Sequence, residues 1–291
     1  MANEGQSVGQ SNASEGDHES RDALAITRRA KSNLAFALAR MPKVRRQDMI
    51  TFYAFCRVID DIADDEGIAT DDRRRQLSRW MNAVAQPTAE LPEESLEHAV
   101  ADLRDRYDIT TEQLQGVVEG VSMDLEPLRF ETAGDLEHYC YHVASLVGLV
   151  SIEVFGYTDR RCHEFAVQLG YALQWTNIIR DVATDVRNGG RIYLPMADLR
   201  QFGVTPEGLE NESPEAGFAA LMEHQYQRAV GYYDAAMRAL PEADRRSMRP
   251  ALVMARIYRE LLEKIRNDGF RVFSTDYRLS RWRKLWLLLT T

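Results

Sequence analysis

Tyr53-Ala54-Phe55-Cys56-Arg57-Val58-Ile59-Asp60-Asp61-Ile62-Ala63-Asp64-Asp65 has a counterpart later in the chain, Gln174-Trp175-Thr176-Asn177-Ile178-Ile179-Arg180-Asp181-Val182-Ala183-Thr184-Asp185. Each stretch sets two aspartates four residues apart behind polar side chains, within an otherwise apolar run. Along an α-helix each residue advances about 100°. Tyr53, Arg57, Asp60 and Asp64 therefore share a stripe roughly 60° wide, and Gln174, Asn177, Asp181 and Asp185 share one of roughly 80°. Apolar side chains flank both: Phe52, Phe55, Ile59 and Ile62 on the first, Leu173, Ile178 and Val182 on the second. Carboxylates are rarely placed against apolar surface unless they are paired or hold a cation. An Asp-rich helix end is often only a solvated surface, and Asp71-Asp72 before Arg73-Arg74-Arg75 reads as one. Repetition of the stripe, each time with an arginine beside it, points instead to two halves of one site.

The pattern outward from these stretches is helical almost throughout. Residues 1–20 are rich in Ser, Gly, Asn, Glu and Asp and read as a disordered tail. A first helix ends before Pro42. Further helices are expected at about 44–66, 71–84, 93–106, 110–126, 133–155 and 159–186, with stops near Gly67 and Asn188-Gly189-Gly190. A loop over about 187–206 carries Arg191-Ile192-Tyr193-Leu194-Pro195. Helices at about 214–239 and 242–267 follow, divided by Pro241. No alternating strand pattern or interior linker intervenes, so the fold class is all-α and the body, 21–275, is a single domain. Residues 276–291 form a basic and aromatic tail.

Composition narrows the function. A formal charge of −9 argues against a nucleic-acid partner, which requires a basic face. Cys56, Cys140 and Cys162 are odd in number and form no CxxC, which fits a reducing cytoplasm better than a disulfide scaffold or zinc site. No signal peptide or roughly 20-residue apolar span is evident. Carboxylates four apart on a helix suit Mg²⁺, which takes oxygen ligands and is usually held by one or two carboxylates together with substrate phosphates. Arg57, Arg180 and Arg191 offer forked donors for phosphate oxygens. Tyr193 and Tyr258 can add hydroxyls at the rim.

The two aspartate stretches, with Arg191-Ile192-Tyr193-Leu194-Pro195, resemble the squalene/phytoene synthase family. Tyr139-Cys140-Tyr141-His142-Val143-Ala144-Ser145-Leu146-Val147-Gly148 is similar to its pocket helix, and Gly120-Val121-Ser122-Met123-Asp124-Leu125 to a shorter family motif. The resemblance spans about 30–275. It implies an isoprenoid-synthase helical bundle around a central cavity, and head-to-head coupling of two prenyl diphosphates with Mg²⁺ or Mn²⁺. It further implies that Asp60 and Asp64 hold metal at one diphosphate, and Asp181 and Asp185, with Asn177, at the other. Arg57, Arg180 and Arg191 would bind diphosphate oxygens. Tyr53, Gln174, Asn177, Tyr193 and Tyr258 would line the polar end, and Val143, Val147 and Gly148 the prenyl channel.

The chain departs from the pattern at Ser32-Asn33-Leu34, where relatives carry Ser-Phe, at Thr184, where Glu is frequent, and at Ser145, where Gly is common and a larger side chain would narrow the pocket. The expected substrates are two farnesyl diphosphates, giving presqualene diphosphate or a squalene-type product. Two geranylgeranyl diphosphates, giving phytoene, are the alternative. A terpene cyclase and a non-catalytic ion-binding bundle are further readings. Neither explains Asn177-Ile178-Ile179-Arg180-Asp181 followed by Arg191. Arg278, Arg281, Arg283 and Lys284, interleaved with Trp282, Leu285 and Trp286, suit either peripheral contact of a cytoplasmic enzyme with a membrane or a helix packed on the body.

Overall fold

The computed structural model describes residues 37–126 and 128–291. The expected tail at 1–20 and the Ser32-Asn33-Leu34 departure lie outside them. The described residues form an all-α bundle, with one isolated parallel bridge between Arg129 and Ile192. The helices are α1 (Lys43–Asp64), α2 (Thr70–Ala83), α3 (Leu96–Arg106), α4 (Thr111–Met123), α5 (Ala133–Cys140), α6 (Leu146–Phe155), α7 (Arg161–Arg187), α8 (Met196–Phe202), α9 (Pro206–Glu210), α10 (Phe218–Ala239), α11 (Arg249–Asn267) and α12 (Arg281–Thr290).

Local chemistry explains several ends. Thr110 and Gln113 form a reciprocal capping box at the start of α4, as Thr132 and Asp135 do at α5. Ser95 caps α3. The segment expected as one loop, 187–206, contains α8. That helix is short, but Phe130 and Glu131 carbonyls accept from its first two amides, Met196 and Ala197, at 2.8 and 3.0 Å. Gly203, with φ 65°, closes it in a left-handed turn. The last long helix starts at Arg249 rather than near 242, because a 3₁₀ turn (Glu242–Asp244) precedes it.

The 27-residue α7 is the axis of the bundle, packed against α5, α6, α10 and α11. Phe165, Ala172, Trp175 and Ile179 are fully buried, so the helix is covered on several sides, as a central helix must be. The large ones, Phe165, Trp175 and Ile179, each contribute about 1.5–3 kcal/mol or more on burial. Its buried indole is satisfied internally. Trp175 Nε1 donates to Gln225 Oε1 at 3.0 Å, and Gln225 Nε2 donates to Asp198 Oδ2 at 2.8 Å, linking α7, α10 and α8.

Between α5 and α6 the helix at 133–155 widens into a π turn (Tyr141–Ser145), in which the Leu146 amide reaches back to the Tyr141 carbonyl. This turn packs on α7 at backbone contact. A Cβ on Gly170 would lie 2.6 Å from Ser145 Cα. Ser145 is fully buried and donates to the Val167 carbonyl at 2.9 Å. Its hydroxyl is therefore engaged with α7 rather than narrowing the pocket.

At the C-terminus, α12 lays Leu287 and Leu288 against Ala37, Val253 and Ile257. No helix among the described residues is long and apolar enough to cross a membrane.

Candidate active site

The first stripe occupies the last three turns of α1 and the second the last three turns of α7. What brings the two together is the chain leaving α7. Gly189 and Gly190 have φ of 79° and 66°, a backbone region that side-chain-bearing residues avoid. The reversal returns the Arg191 amide to the Asp185 carbonyl at 3.0 Å. Arg129 Nη1 fixes it further by donating to the Gly190 carbonyl at 2.8 Å. Arg191 then reaches across the mouth, and its Nη1 lies 3.4 Å from Asp64 Oδ1.

Each expected phosphate-binding arginine is engaged with aspartate in this state. Arg57 Nη2 lies 2.5 Å from Asp61 Oδ1 and its Nη1 lies 3.9 Å from Asp60 Oδ2. Arg180 forks onto Asp181, with Nε donating to Oδ1 at 2.7 Å. Tyr258 sits beside the Arg180 guanidinium.

Asp124, at the end of α4, stands between the two stripes. Tyr193 donates to its Oδ1 at 2.9 Å and Tyr139 to its Oδ2 at 2.9 Å. Tyr139 and Tyr193 stack on each other, with ring centroids 5.4 Å apart. The site list read from the sequence omitted Asp124 and Tyr139. The available signal was the Gly120-to-Leu125 motif, which ends its helix on that aspartate.

The electrostatics are those of a crowded acidic recess. Burial among protein atoms, then the like charge of Asp64, with smaller contributions from Asp124 and Asp61, push Asp60 up to about 6 against the opposing pull of Arg57. This occurs although 56% of its side-chain surface is open. Burial and then Asp181, with Asp124 adding to them, push Asp185 up to about 7, against Arg191 and Arg180. Burial raises Asp124 as well, opposed by its two tyrosine donors. Asp124 thus adds its charge to both stripes.

Such a recess calls for cations, and its donor set is all oxygen. Asn177 adds a specific sign: its Oδ1 is buried without a hydrogen-bond partner, while its Nδ2 donates to Gln174 Oε1 at 3.2 Å. An acceptor left open one turn before Asp181 fits a hard divalent ion. Among the described residues no three His, Cys, Asp or Glu side chains converge closely enough to cage an ion unaided. Water and ligand phosphate oxygens would complete the shell, as Mg²⁺ commonly requires.

Apolar surface continues behind the mouth. Along one face of α7 the half-buried positions include Val167, Tyr171, Gln174, Asn177, Asp181 and Asp185, apolar at one end and acidic at the other. Val143 and Val147 are half-buried and pack against the core, and Tyr53 is half-buried on α1. Gly148 faces α7: a Cβ there would meet the Ala166 carbonyl oxygen at 3.0 Å, so this glycine sets the spacing of α6 and α7.

Comparison with known proteins agrees with this arrangement. The family described as Squalene/phytoene synthase matches residues 27–283. The chain is 32% identical to 15-cis-phytoene synthase of Synechococcus elongatus, over 89% of this chain and 88% of that protein. It is 31% identical to phytoene synthase of Arthrospira platensis, over 85% of this chain and 84% of the relative. A crystal structure of a dehydrosqualene synthase in complex with ligand superposes with a TM-score of 0.80 at 28% identity, covering 95% of this chain and 96% of the other. The fold is thus the all-α isoprenoid-synthase fold, and the activity is that of a prenyltransferase acting on prenyl diphosphates head to head. The chain belongs to the squalene/phytoene synthase family.

Proposed function

We propose that the chain condenses two geranylgeranyl diphosphates to a phytoene-type C40 hydrocarbon in a site that uses Mg²⁺ or Mn²⁺. The observation that carries the C20 choice is its identity of 31–32% with two cyanobacterial phytoene synthases over most of both lengths. This reverses the order expected from the sequence, which put farnesyl diphosphate first.

In this reading Asp60 and Asp64 hold metal at one diphosphate, and Asp181, Asp185 and Asn177 at the other. Metal bound there would supply positive charge to the departing diphosphates. Arg57, Arg180 and Arg191 exchange their aspartate contacts for diphosphate oxygens, which adds forked, charge-assisted donors where negative charge develops. Tyr53, Gln174 and Tyr258 complete the polar end. Val143, Val147 and Tyr171 keep water from the allylic cation, and aromatic faces stabilise it. The first coupling forms a carbon–carbon bond, releases one diphosphate and one proton, and gives a cyclopropylcarbinyl diphosphate. The second ionisation releases the other diphosphate, and rearrangement with loss of a second proton gives the hydrocarbon. No reductant is consumed.

A second reading has a specific support. The superposition on a dehydrosqualene synthase over 95% of the chain favours two C15 substrates. Incubation of the purified protein with each diphosphate and Mg²⁺, followed by mass analysis of the hydrocarbon, separates the two. A C40 product supports the proposal and a C30 product the second reading. No turnover of either substrate defeats both, and full activity in both Asp60→Asn and Asp181→Asn defeats the metal sites.

A further inference from the structure

Arg191 is carried on a joint of two residues without side chains, Gly189 and Gly190. A Cβ on either would meet nothing within 4 Å, so glycine stands there for its backbone freedom and not for want of room. The chain is anchored on each side of the joint. Before it, Arg187 pairs with Glu212 at 2.6 Å. After it, Ile192 and Leu194 are only 3% and 2% exposed. What such a joint leaves open is the orientation of one peptide unit, the one between Gly190 and Arg191, and the guanidinium of Arg191 turns with it.

Both ends of that peptide unit are held. Its N–H donates to the Asp185 carbonyl at 3.0 Å, and its C=O accepts from Arg129 Nη1 at 2.8 Å. Because a peptide unit is planar, hydrogen bonds at its two ends fix the plane, whereas one alone lets it pivot. Arg129 comes 61 residues before Gly190 and is itself fastened in place. Its backbone forms the parallel bridge with Ile192, and its Nη2 donates to Glu210 Oε1 at 3.2 Å. One residue thus grips the chain immediately before and immediately after Arg191. The Arg129–Glu210 pair is partly open, at 38% and 44%, and adds little to stability. Both terminal nitrogens of Arg129 are engaged by protein, which favours a hold on the joint over direct contact with a diphosphate.

We infer that Arg129 is a positioning residue: by gripping the Gly190 carbonyl it fixes the peptide from which the Arg191 guanidinium is aimed across the mouth. This rests on the reading of Arg191 as a diphosphate donor. A donor already aimed at developing charge needs no rearrangement at the moment of reaction. Misplacing a reacting group by about 1 Å can cost about a hundredfold in rate.

The test compares Arg129→Gln, Arg191→Ala and the double variant of the full chain, on whichever prenyl diphosphate the enzyme turns over. We expect Arg129→Gln to lower kcat about tenfold with KM within about threefold, because the donor acts mainly in the transition state. In the Arg191→Ala background the same change should lower kcat by less than about twofold, since no guanidinium is left to aim. Arg129→Lys keeps the charge, but its single nitrogen replaces a fork with two partners, so it should recover only part of the loss. It also carries the comparison if Arg129→Gln does not fold. Arg200→Gln, which removes the exposed pair between α8 and Glu131, should leave turnover unaltered. A second readout needs no substrate. Hydrogen exchange at the Arg191 amide, followed on peptides across 186–195, should speed up about tenfold in Arg129→Gln while the melting temperature stays within a few degrees of wild type. Additive losses in the double variant, full activity in Arg129→Lys, an equal loss in Arg200→Gln or unchanged exchange at Arg191 overturns the inference and leaves the proposed function standing. Unchanged turnover in Arg191→Ala overturns the reading of Arg191 as a donor and the inference with it.

Discussion

Arg191 Nη1 lies 3.4 Å from Asp64 Oδ1, so the loop that leaves the second aspartate helix closes onto the end of the first. Both side chains are partly open, at 30% and 58%, and such a pair contributes less than about 1 kcal/mol. Arg191→Ala should therefore leave the melting temperature within a few degrees of wild type while lowering kcat by about a hundredfold, the usual cost of one transition-state donor. Arg191→Lys keeps the charge without the fork and should fall between. Paired thermal melts and steady-state kinetics check both.

Metal binding should release protons in a defined window. Asp60 and Asp185, raised to about 6 and about 7, are partly protonated at pH 6.5, and a cation takes the ionised form. Titration of Mg²⁺ by calorimetry in buffers of differing ionisation enthalpy should show proton release at pH 6.5 that fades by pH 8.5. Asp185→Asn should reduce it. Without metal the same shift has a stability sign. A carboxyl raised in the folded state favours folding below its ordinary value near 3.8, and that contribution is lost as pH rises through about 7. The apo melting temperature of Asp185→Asn should thus gain on wild type between pH 5 and 8, and added Mg²⁺ should close the gap.

Asp124 is expected to carry structural as well as chemical weight. Asp124→Ala leaves the Tyr139 hydroxyl, in a side chain only 4% exposed, without its acceptor. The cost should be about 1–3 kcal/mol in denaturant unfolding. In the Asp124→Ala background, Tyr139→Phe should cost less than it does alone, and a double-mutant cycle measures that coupling.

Two glycines should respond oppositely to alanine. A Cβ at Gly170 would press on Ser145 Cα and N at 2.6 and 2.7 Å, both backbone atoms that cannot swing aside. Gly170→Ala should destabilise by about 1–3 kcal/mol or more. At Gly231, inside α10, a Cβ meets nothing within 4 Å. Gly231→Ala should stabilise by about 0.5–1 kcal/mol through helix propensity.

The aspartate stripes were legible in the sequence because helical period alone puts residues 4, 7 and 11 apart on one face. The breaks at Pro42, Gly67 and Gly189-Gly190 were legible because those residues restrict or free the backbone locally. Asp124 was less legible as a partner of both stripes. Its donors are 15 and 69 residues away, and no periodicity on its own helix announces them. The seven-residue α8 was hidden because its first amides are completed by Phe130 and Glu131, far back in the chain. The orientation of Ser145 and Gly148 toward α7 depends on the π turn, which composition does not mark. Substrate length had no local signature in the aspartate motifs, which bind the diphosphate end that both candidate substrates share.

The π turn at Tyr141–Ser145 gives the helix that carries Val143 and Val147 a tolerance to a change in the protein's own length. It stores one residue more than a regular helix would. Deleting Ala144 would turn the Leu146-to-Tyr141 bond into an ordinary α-helical one, with the helices on either side keeping their faces. Val147 would hold its present face, and Gly148 its place against the Ala166 carbonyl. The same loss inside α6, where no extra residue is stored, would rotate everything after it by about 100°.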